Sequence, residues 1–383
     1  MKIVLSDNGL HKNFRPLTLT RPVAELRFGI LTIKETWEKH FIECLVEPDV
    51  YFETESYLED KYPFDRLYDL KVAGNVKPSL DLMREILALE KNQSLYVNFK
   101  WVATKGLKEE SKKNIESKDI IYLTNLWELF QKNDKALLID YKILTKGKIS
   151  QPISTTNTVI NPINIFIEEG ATVECSILNA SNGPIYIGKN AEIMEGCMIR
   201  GGLALLDNAT LKMGAKIYGA TTIGPHCKVG GEVSNSLFQG YSNKGHDGFL
   251  GNSVVGEWCN FGADTNSSNL KNNYGKLKVY DYNTNQLQQT DIMFCGVLMG
   301  DHSKTGINTM LNTATTVGVN ANIFGGDFPP KHIPSFSWGG FKLSPKFELE
   351  KAFEVAQNMM SRRKIALSDK DKKILTYIFE NEL

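Results

Sequence analysis

Residues 187–229 carry an aliphatic side chain at every sixth position, and this period restricts the fold more than any other feature. The series is Ile187, Ile193, Ile199, Leu205, Leu211, Ile217, Ile223 and Val229. Four residues after each of the first seven comes a second position, small in all but one case: Ala191, Cys197, Leu203, Ala209, Ala215, Thr221 and Cys227. A period of six fits neither an α-helix nor a heptad, but it is a multiple of the strand period. It predicts a parallel β-helix, in which each hexad forms one face of a triangular coil and about 18 residues make a turn.

The period resumes after two polar segments. It continues at Phe249, Val255 and Phe261, and again from Met293 to Ile323. The intervening segments, roughly 234–248 and 266–292, are predicted to be insertions that leave the coils. Solenoids carry function on such segments, so we expect the site there. An ordinary β-sandwich with chance alternation is the alternative.

Composition excludes several classes of function. The 383 residues contain 44 basic and 44 acidic side chains, and zero net charge argues against a general nucleic-acid binder. No signal peptide and no apolar run of membrane-spanning length are visible. The six cysteines form no CxxC pair, which favours a reduced, cytoplasmic protein.

His246 is the strongest catalytic candidate. It lies between glycines in the first polar segment, Lys244-Gly245-His246-Asp247-Gly248. A neutral imidazole can accept a proton from an amine or hydroxyl nucleophile near pH 7, and acyl transfer from a thioester requires this. His226 and His302 occupy outward-facing hexad positions, where a surface histidine without a role is expected, and His302 is the next candidate if His246 is not the base. His332 is left open as a ligand contact.

The hexads resemble those of the hexapeptide-repeat, left-handed β-helix acyltransferases. Residues 229–278 resemble, more narrowly, the acetyltransferase half of the bifunctional UDP-N-acetylglucosamine pyrophosphorylase/glucosamine-1-phosphate N-acetyltransferase family. The run Gly245-His246-Asp247-Gly248-Phe249-Leu250-Gly251-Asn252 is similar to that family's Gly-His-x-x-Tyr-Leu-Gly-Asp. The resemblance implies that His246 is the catalytic base and that Glu232 orients it.

The same resemblance implies further contacts. Substrate-binding positions would be Asn260, Asn273, Tyr274, Lys276 and Lys278, and acetyl-CoA contacts would be the backbone of Ala263, Gly325 and Gly326. Phe249 replaces the family's tyrosine and Asp264 replaces a glycine, which leaves the acceptor sugar open.

The N-terminal region alternates strand-like and helix-like segments, which predicts a parallel sheet with flanking helices. A helix is predicted from Thr20-Arg21-Pro22, and strands at 95–97 and 136–139. Arg15-Pro16-Leu17-Thr18 and Pro22 resemble the corresponding motif of sugar-nucleotide pyrophosphorylases. In contrast to that family, the phosphate-binding loop here has only one glycine, and Val23 replaces a lysine. The nucleotide-binding candidates are Asp7, Asn8, Arg15, Arg21 and Asn98, and the candidates for a Mg²⁺ ligand are Asp7 and Asp140.

The sequence therefore predicts three domains: a nucleotidyltransferase-like, Rossmann-like α/β domain (1–150), a left-handed β-helix (151–330) and a helical cap (331–383). Residues 349–364 and 369–382 are predicted helices, and the second begins with a capping box at Ser368. The basic run Arg362-Arg363-Lys364 fits either a solvated helix end or a site for coenzyme A phosphates.

The predicted function is acetyl-CoA-dependent N-acetylation of an amino-sugar 1-phosphate in sugar-nucleotide biosynthesis, by a homotrimer. A sugar-1-phosphate nucleotidyltransferase activity, which would need a nucleoside triphosphate and Mg²⁺, is left open. The alternatives are nucleotidyl transfer alone, with the β-helix as an oligomerisation platform, and a non-enzymatic scaffold.

Overall fold

The computed structural model describes residues 1–118 and 120–382. These form two compact units. The first contains residues 1–14, 20–26 and 31–125, and the second contains 15–19, 27–30 and the described chain from 126 onward.

The first unit is built on a mixed six-stranded sheet. Lys2–Ser6 lies between Asp49–Glu53 and Leu70–Ala73 and is parallel to both. Lys100–Lys105 is antiparallel to both Leu70–Ala73 and Gln93–Val97, and Ser111–Ile115 completes the sheet parallel to Gln93–Val97. A two-stranded sheet pairs Val76–Lys77 with Ile121–Tyr122. The α-helices are Ile33–Glu43 and Leu80–Leu87, and the short 3₁₀ segments are His11–Phe14, Val23–Glu25 and Ser56–Leu58.

The predicted α/β fold of this region is confirmed, but its sheet is mixed rather than parallel. Asn98 and Phe99 both have left-handed backbone angles, φ +49° and +63°, and form a two-residue hairpin turn that reverses the chain. The helix predicted from Thr20 is also wrong. Residues 23–25 make a single 3₁₀ turn, and the α-helix begins only at Ile33, where Thr32 and Glu35 form a capping box.

The second unit begins with the helices Glu128–Gln131 and Asn133–Thr145, after a 3₁₀ segment at Leu17–Leu19. The strand predicted at 136–139 lies inside the second helix. Ala136, Leu137 and Asp140 are its buried residues together with Asn133. Their spacing marks one helical face, which a short apolar run does not distinguish from a strand.

A parallel β-helix follows, with three sheets. Face 1 contains Ile165–Ile167, Ile185–Ile187, Leu203–Leu205, Thr221–Ile223, Leu237–Gly240, Val254–Glu257, Leu298–Met299, Thr316–Val317 and His332–Ile333. Face 2 contains Thr172–Val173, Glu192–Ile193, Thr210–Leu211, Lys228–Val229 and Asn243–Lys244, continued through bridges at Asn260 by Lys304–Thr305, Asn322–Ile323, Ser337–Gly339 and Leu343–Lys346. Face 3 contains Thr158–Ile160, Ile177–Asn179, Met198–Arg200, Lys216–Tyr218, Glu232–Ser234, Phe249–Gly251, Asn266–Ser267 and Met310–Leu311. A 3₁₀ segment, Pro162–Asn164, precedes the first strand of face 1.

The register confirms the predicted parallel β-helix with about 18 residues in a full turn. Ile187, Leu205 and Ile223, which are each separated by three hexads, align on face 1, and all three are fully buried. Cys197, Cys227 and Cys259 are also buried in this core, and burial raises the pKa of the Cys227 thiol to about 12. They pack as small residues of the coils.

Residues 234–248 are not an insertion, contrary to the prediction. They belong to a coil that is shorter than three full hexads, in which Phe238 aligns with Ile223 and Lys244 aligns with Val229. Asn235 and Tyr241 turn its corners with left-handed backbone angles. The inward position of the next strand is Leu250, whereas Phe249 is partly exposed. Met293, also predicted to point inward, is 41% exposed.

The second polar segment does leave the coils. It contains a hairpin of Lys278–Asp281 and Gln286–Gln289, and a bridge between Leu270 and Phe294 closes its base.

Two helices follow the coils, Leu349–Ser361 and Asp369–Asn381, and Ser368 and Asp371 form the predicted capping box. Phe379 of the second helix packs edge-on against Phe336 of the last coil, 5.1 Å between ring centres. Each helix of the described chain is too short or too polar to cross a membrane.

Candidate functional site

His246 lies in a cleft of about 510 Å³ in the second unit. The same cleft is lined by Asn260 and Ala263, so three of the predicted site residues lie together. The His246 side chain is exposed, and within the described chain neither its ring nor the Asn260 side-chain amide has a hydrogen-bond partner. Both groups are therefore available to a ligand.

The backbone of the His246 loop is fixed by the neighbouring coils. Asp264 donates its N–H to the Asp247 carbonyl (3.1 Å), and Glu232 donates its N–H to the Gly248 carbonyl (3.3 Å). Gly248 has φ +112°, and a Cβ there would lie 2.3 Å from the Thr265 carbonyl oxygen. Only glycine fits this approach of the loop to the next coil.

Four cationic side chains line the cleft. Lys212 and Lys228 come from face 2 and its edge, and Arg362 and Arg363 come from the carboxyl end of the helix Leu349–Ser361. The rings of Tyr241 and Trp258 complete this side. A cleft with four cations and two aromatic rings suits an anionic ligand that carries phosphate groups and a planar base.

Asn243 adds a polar signal that sequence reasoning missed. It lines the cleft, and its side-chain Oδ1 is buried with no hydrogen-bond partner in the part of the chain that the structure describes. A buried acceptor without a partner is costly, so this atom is suited to an N–H donor of a ligand. The cleft thus suits a ligand that offers anionic groups, a planar ring and N–H donors.

Glu232 does not contact His246. Its carboxylate accepts a hydrogen bond from the Tyr218 hydroxyl, 2.6 Å away. Both residues line a second, larger cavity of about 1060 Å³ beside the helix Asn133–Thr145. The backbone of Glu232 is near the His246 loop, but its side chain lies on face 3.

The four substrate candidates of the second polar segment lie outside the His246 cleft. Asn273 Oδ1 accepts the Gly275 N–H (3.0 Å), and Lys276 pairs with Asp291. Tyr274 is 68% exposed, and Lys278 begins the hairpin. Gly325 and Gly326 are also outside the cleft, on the loop after Asn322–Ile323, and a Cβ at Gly326 would meet no described atom within 4 Å.

The remaining histidines of the coils have structural positions, and His302, which is 7% exposed, is not the surface residue that the sequence predicted. His226, Tyr241, Trp258 and His302 stack in order, with ring centres 5.0, 4.3 and 6.4 Å apart. His332 stacks on Tyr280 of the hairpin at 3.4 Å, and burial lowers its pKa to about 4. It is a neutral packing residue.

Asn8 is the predicted nucleotide-binding residue that lines a cavity of the first unit, about 370 Å³ in volume, with Ser6, Glu53 and Lys71. Asp7 is 4% exposed, and its two oxygens accept the Val23 N–H (2.8 Å) and the Thr54 hydroxyl (2.5 Å). Burial raises the pKa of Asp7 to about 7. A carboxyl used in this way does not fit a Mg²⁺ ligand.

The other candidates of this group have internal partners. Asn98 is in the hairpin turn and bonds Ser117 through both side-chain atoms. Arg21 is 7% exposed. Arg15 belongs to the second unit, where it pairs with Glu382 at 2.7 Å. Asp140 is not at a strand end but in a helix, where it accepts the Ile30 N–H.

Comparisons with known proteins find similarity in both the N-terminal region and a larger part of the chain. Residues 3–149 match the family model for sugar nucleotidyl transferases. The bifunctional protein GlmU of Synechococcus elongatus is 25% identical over 231 residues, 54% of this chain and 46% of that protein. GlmU of Methanocaldococcus jannaschii is 34% identical over 89 residues, 23% of this chain and 21% of that protein. The chain spans less than half the length of these curated relatives.

Among solved structures, the UDP-N-acetylglucosamine acyltransferase from Campylobacter jejuni matches 61% of this chain and 97% of its own, at 15% identity and a TM-score of 0.20. That likeness is too low to support an argument. The resemblance found in the sequence is confirmed by the other two comparisons: residues 3–149 match the sugar nucleotidyl transferase family, and about half the chain is similar to bifunctional GlmU proteins.

Proposed function

We propose that the chain is a transferase of sugar-nucleotide biosynthesis, and that its β-helix moves an acetyl group from acetyl-CoA to the amine of an amino-sugar 1-phosphate. The observation that carries this proposal is the cleft, in which an unpartnered imidazole of the described chain lies with four cations. Glucosamine 1-phosphate is the acceptor that the resemblance suggests.

The chain's own residues would divide the chemistry as follows. Acetyl-CoA supplies an activated acyl group, so the protein has to bind it, orient it and manage one proton. Lys212, Lys228, Arg362 and Arg363 bind the phosphates. His246 takes the proton that the amine loses as the C–N bond forms, and returns it to the sulfur as the C–S bond breaks. Asn260 orients the acceptor.

The test is thiol release from acetyl-CoA across a panel of amino-sugar 1-phosphates. Release that depends on one amino sugar, together with an N-acetylated product in mass spectrometry, supports the proposal. Thiol release that does not depend on any amine in the panel contradicts it.

We also propose that the active assembly is a homotrimer. The predicted substrate residues Asn273, Tyr274, Lys276 and Lys278 do not line the cleft of their own chain, and a neighbouring subunit could supply them. The protein is expected to sediment at about three times its 43.0 kDa mass. A monomer with full acetyl transfer would disprove this arrangement.

The family match of residues 3–149 favours a second candidate, sugar-1-phosphate nucleotidyl transfer in the first unit. Its supporting feature is the cavity that Asn8 lines. If this unit binds substrate, a nucleoside triphosphate is expected to raise the melting temperature of the protein by several degrees. Asn8→Ala should abolish this rise in melting temperature. If none of the four nucleoside triphosphates raises the melting temperature of wild type, the first unit is not a nucleotidyltransferase.

A further inference from the structure

A lysine occupies an inward position of the β-helix. On face 2, the inward side chains of successive coils align as Ile193, Leu211, Val229 and Lys244. The first three are buried aliphatic residues, and Lys244 is buried to the same degree, 2% exposed. A lysine at such a position is costly, because burial removes water from its ammonium group.

The contacts of this ammonium group lead to the His246 loop. Lys244 Nζ donates to the carbonyl oxygens of Gly230 and His246, at 3.0 Å each. Hydrogen bonds from a charged donor are stronger than those between neutral groups. One bond anchors the side chain to the preceding coil, and the other fixes the backbone of the candidate base itself.

We propose that Lys244 is the positioning residue of His246, and that its inward ammonium group sets the orientation of the imidazole in the cleft. This inference rests on the proposed acetyl transfer. It accounts for a lysine where the preceding coils carry aliphatic residues. An apolar side chain would pack there at less cost, but it could not hold the His246 carbonyl.

Lys244→Met is the main test, because methionine fills a similar volume and matches the aliphatic column. The expected result is a fall in kcat of about 10- to 100-fold, the effect of a misplaced catalytic group, with KM for acetyl-CoA within twofold of wild type. Lys244→Gln keeps an uncharged N–H donor group, so its kcat should fall between those of wild type and Lys244→Met. Lys189→Met, which removes an exposed lysine of an earlier coil, is the matched control and should leave kcat unchanged.

A pH series separates positioning from mere packing. Burial lowers the pKa of Lys244 to about 8, against the opposing effect of Asp247 and Asp264. Because this pKa lies below the unfolded value, the folded protein binds fewer protons between about pH 8 and 10.5. Its stability relative to Lys244→Met should therefore rise with pH in this window. The neutral amine holds the carbonyl less well, so the kcat of wild type relative to Lys244→Met should fall as the pH rises through about 8, where the folded protein loses this proton.

Hydrogen exchange gives a readout that needs neither a variant nor activity. After correction for intrinsic exchange, protection of the Glu232 and Asp264 amides, which donate to the Gly248 and Asp247 carbonyls of the loop, should fall between pH 7 and pH 9.5. Protection of the Leu203 amide, which donates to Pro184 in an earlier coil, should not change. If wild type shows no acetyl transfer, the proposed function fails, and the exchange result still tests the lysine contact. Unchanged exchange, or a folded Lys244→Met protein with kcat within twofold of wild type, would overturn the inference.

Discussion

His246→Ala is expected to lower the rate of acetyl transfer by about 10²- to 10⁴-fold, the usual contribution of a positioned general base. The ring is exposed at the cleft and makes no hydrogen bond within the described chain, so its loss should not disturb the coil. KM for acetyl-CoA should change little, because the four cations of the cleft remain. The measurement is thiol release at saturating acceptor, with melting temperature as a check on folding.

The matched control for this variant is His226→Asn. His226 lies at a coil corner with φ +58°, and Asn190 and Asn208 occupy the same corner with similar angles. Asparagine tolerates this conformation, so the control should fold and keep its activity within about twofold. Near-normal turnover of His246→Ala would show that the loop is structural. His302 would not replace it as the base, because it is buried in the ring stack beside Trp258.

The coils were predictable because their packing leaves a periodic signature in the sequence. Ile187, Leu205 and Ile223 must all fill the same interior, so each is aliphatic and each follows the last by one full turn of the β-helix. The shortened coil has no such signature. Its inward residue on face 2 is Lys244, and a polar residue at a core position looks like part of a loop to any argument based on hydrophobicity.

The direction of side chains is the second feature that could not be predicted from the sequence. The motif around His246 grouped it with Asn260 and Ala263, and the register of the coils brings all three to one cleft. Glu232 was matched to the same motif, but its carboxylate lies on face 3 and bonds Tyr218 of the neighbouring coil. That partner precedes the matched stretch in the chain, so only the structure identifies it.

The grouping of cations from distant parts of the chain is the third feature that could not be predicted from the sequence. Lys212 and Lys228 occupy outward positions of two coils, which a repeat pattern treats as equivalent to other surface positions. Arg362 and Arg363 come only after the last coil and the helix Leu349–Ser361, and the sequence left their role open between a solvated helix end and phosphate binding. The cleft brings all four together, which favours the second interpretation.

Removing both arginines, Arg362→Ser with Arg363→Ser, should raise KM for acetyl-CoA by roughly 10- to 100-fold and leave kcat near wild type. Each charge-assisted hydrogen bond contributes about 1.5–3 kcal/mol. Because both arginines are at least partly open to solvent, we expect the two together to contribute a binding free energy near the lower end of that range. The matched control is Lys364→Asn, because Lys364 is the third cation of the run but does not line the cleft. It has φ +59°, an angle that asparagine adopts readily.

The control decides between specific phosphate contacts and general attraction by a basic surface. If position matters, Lys364→Asn leaves KM unchanged while the double variant raises it. Added salt should then weaken wild-type binding of acetyl-CoA more than that of the double variant, because screening acts on the charges that were removed. An equal rise in KM for both proteins would mean that the helix end attracts anions without contacting them. In that case the coenzyme A phosphates would have to be bound by Lys212 and Lys228 alone.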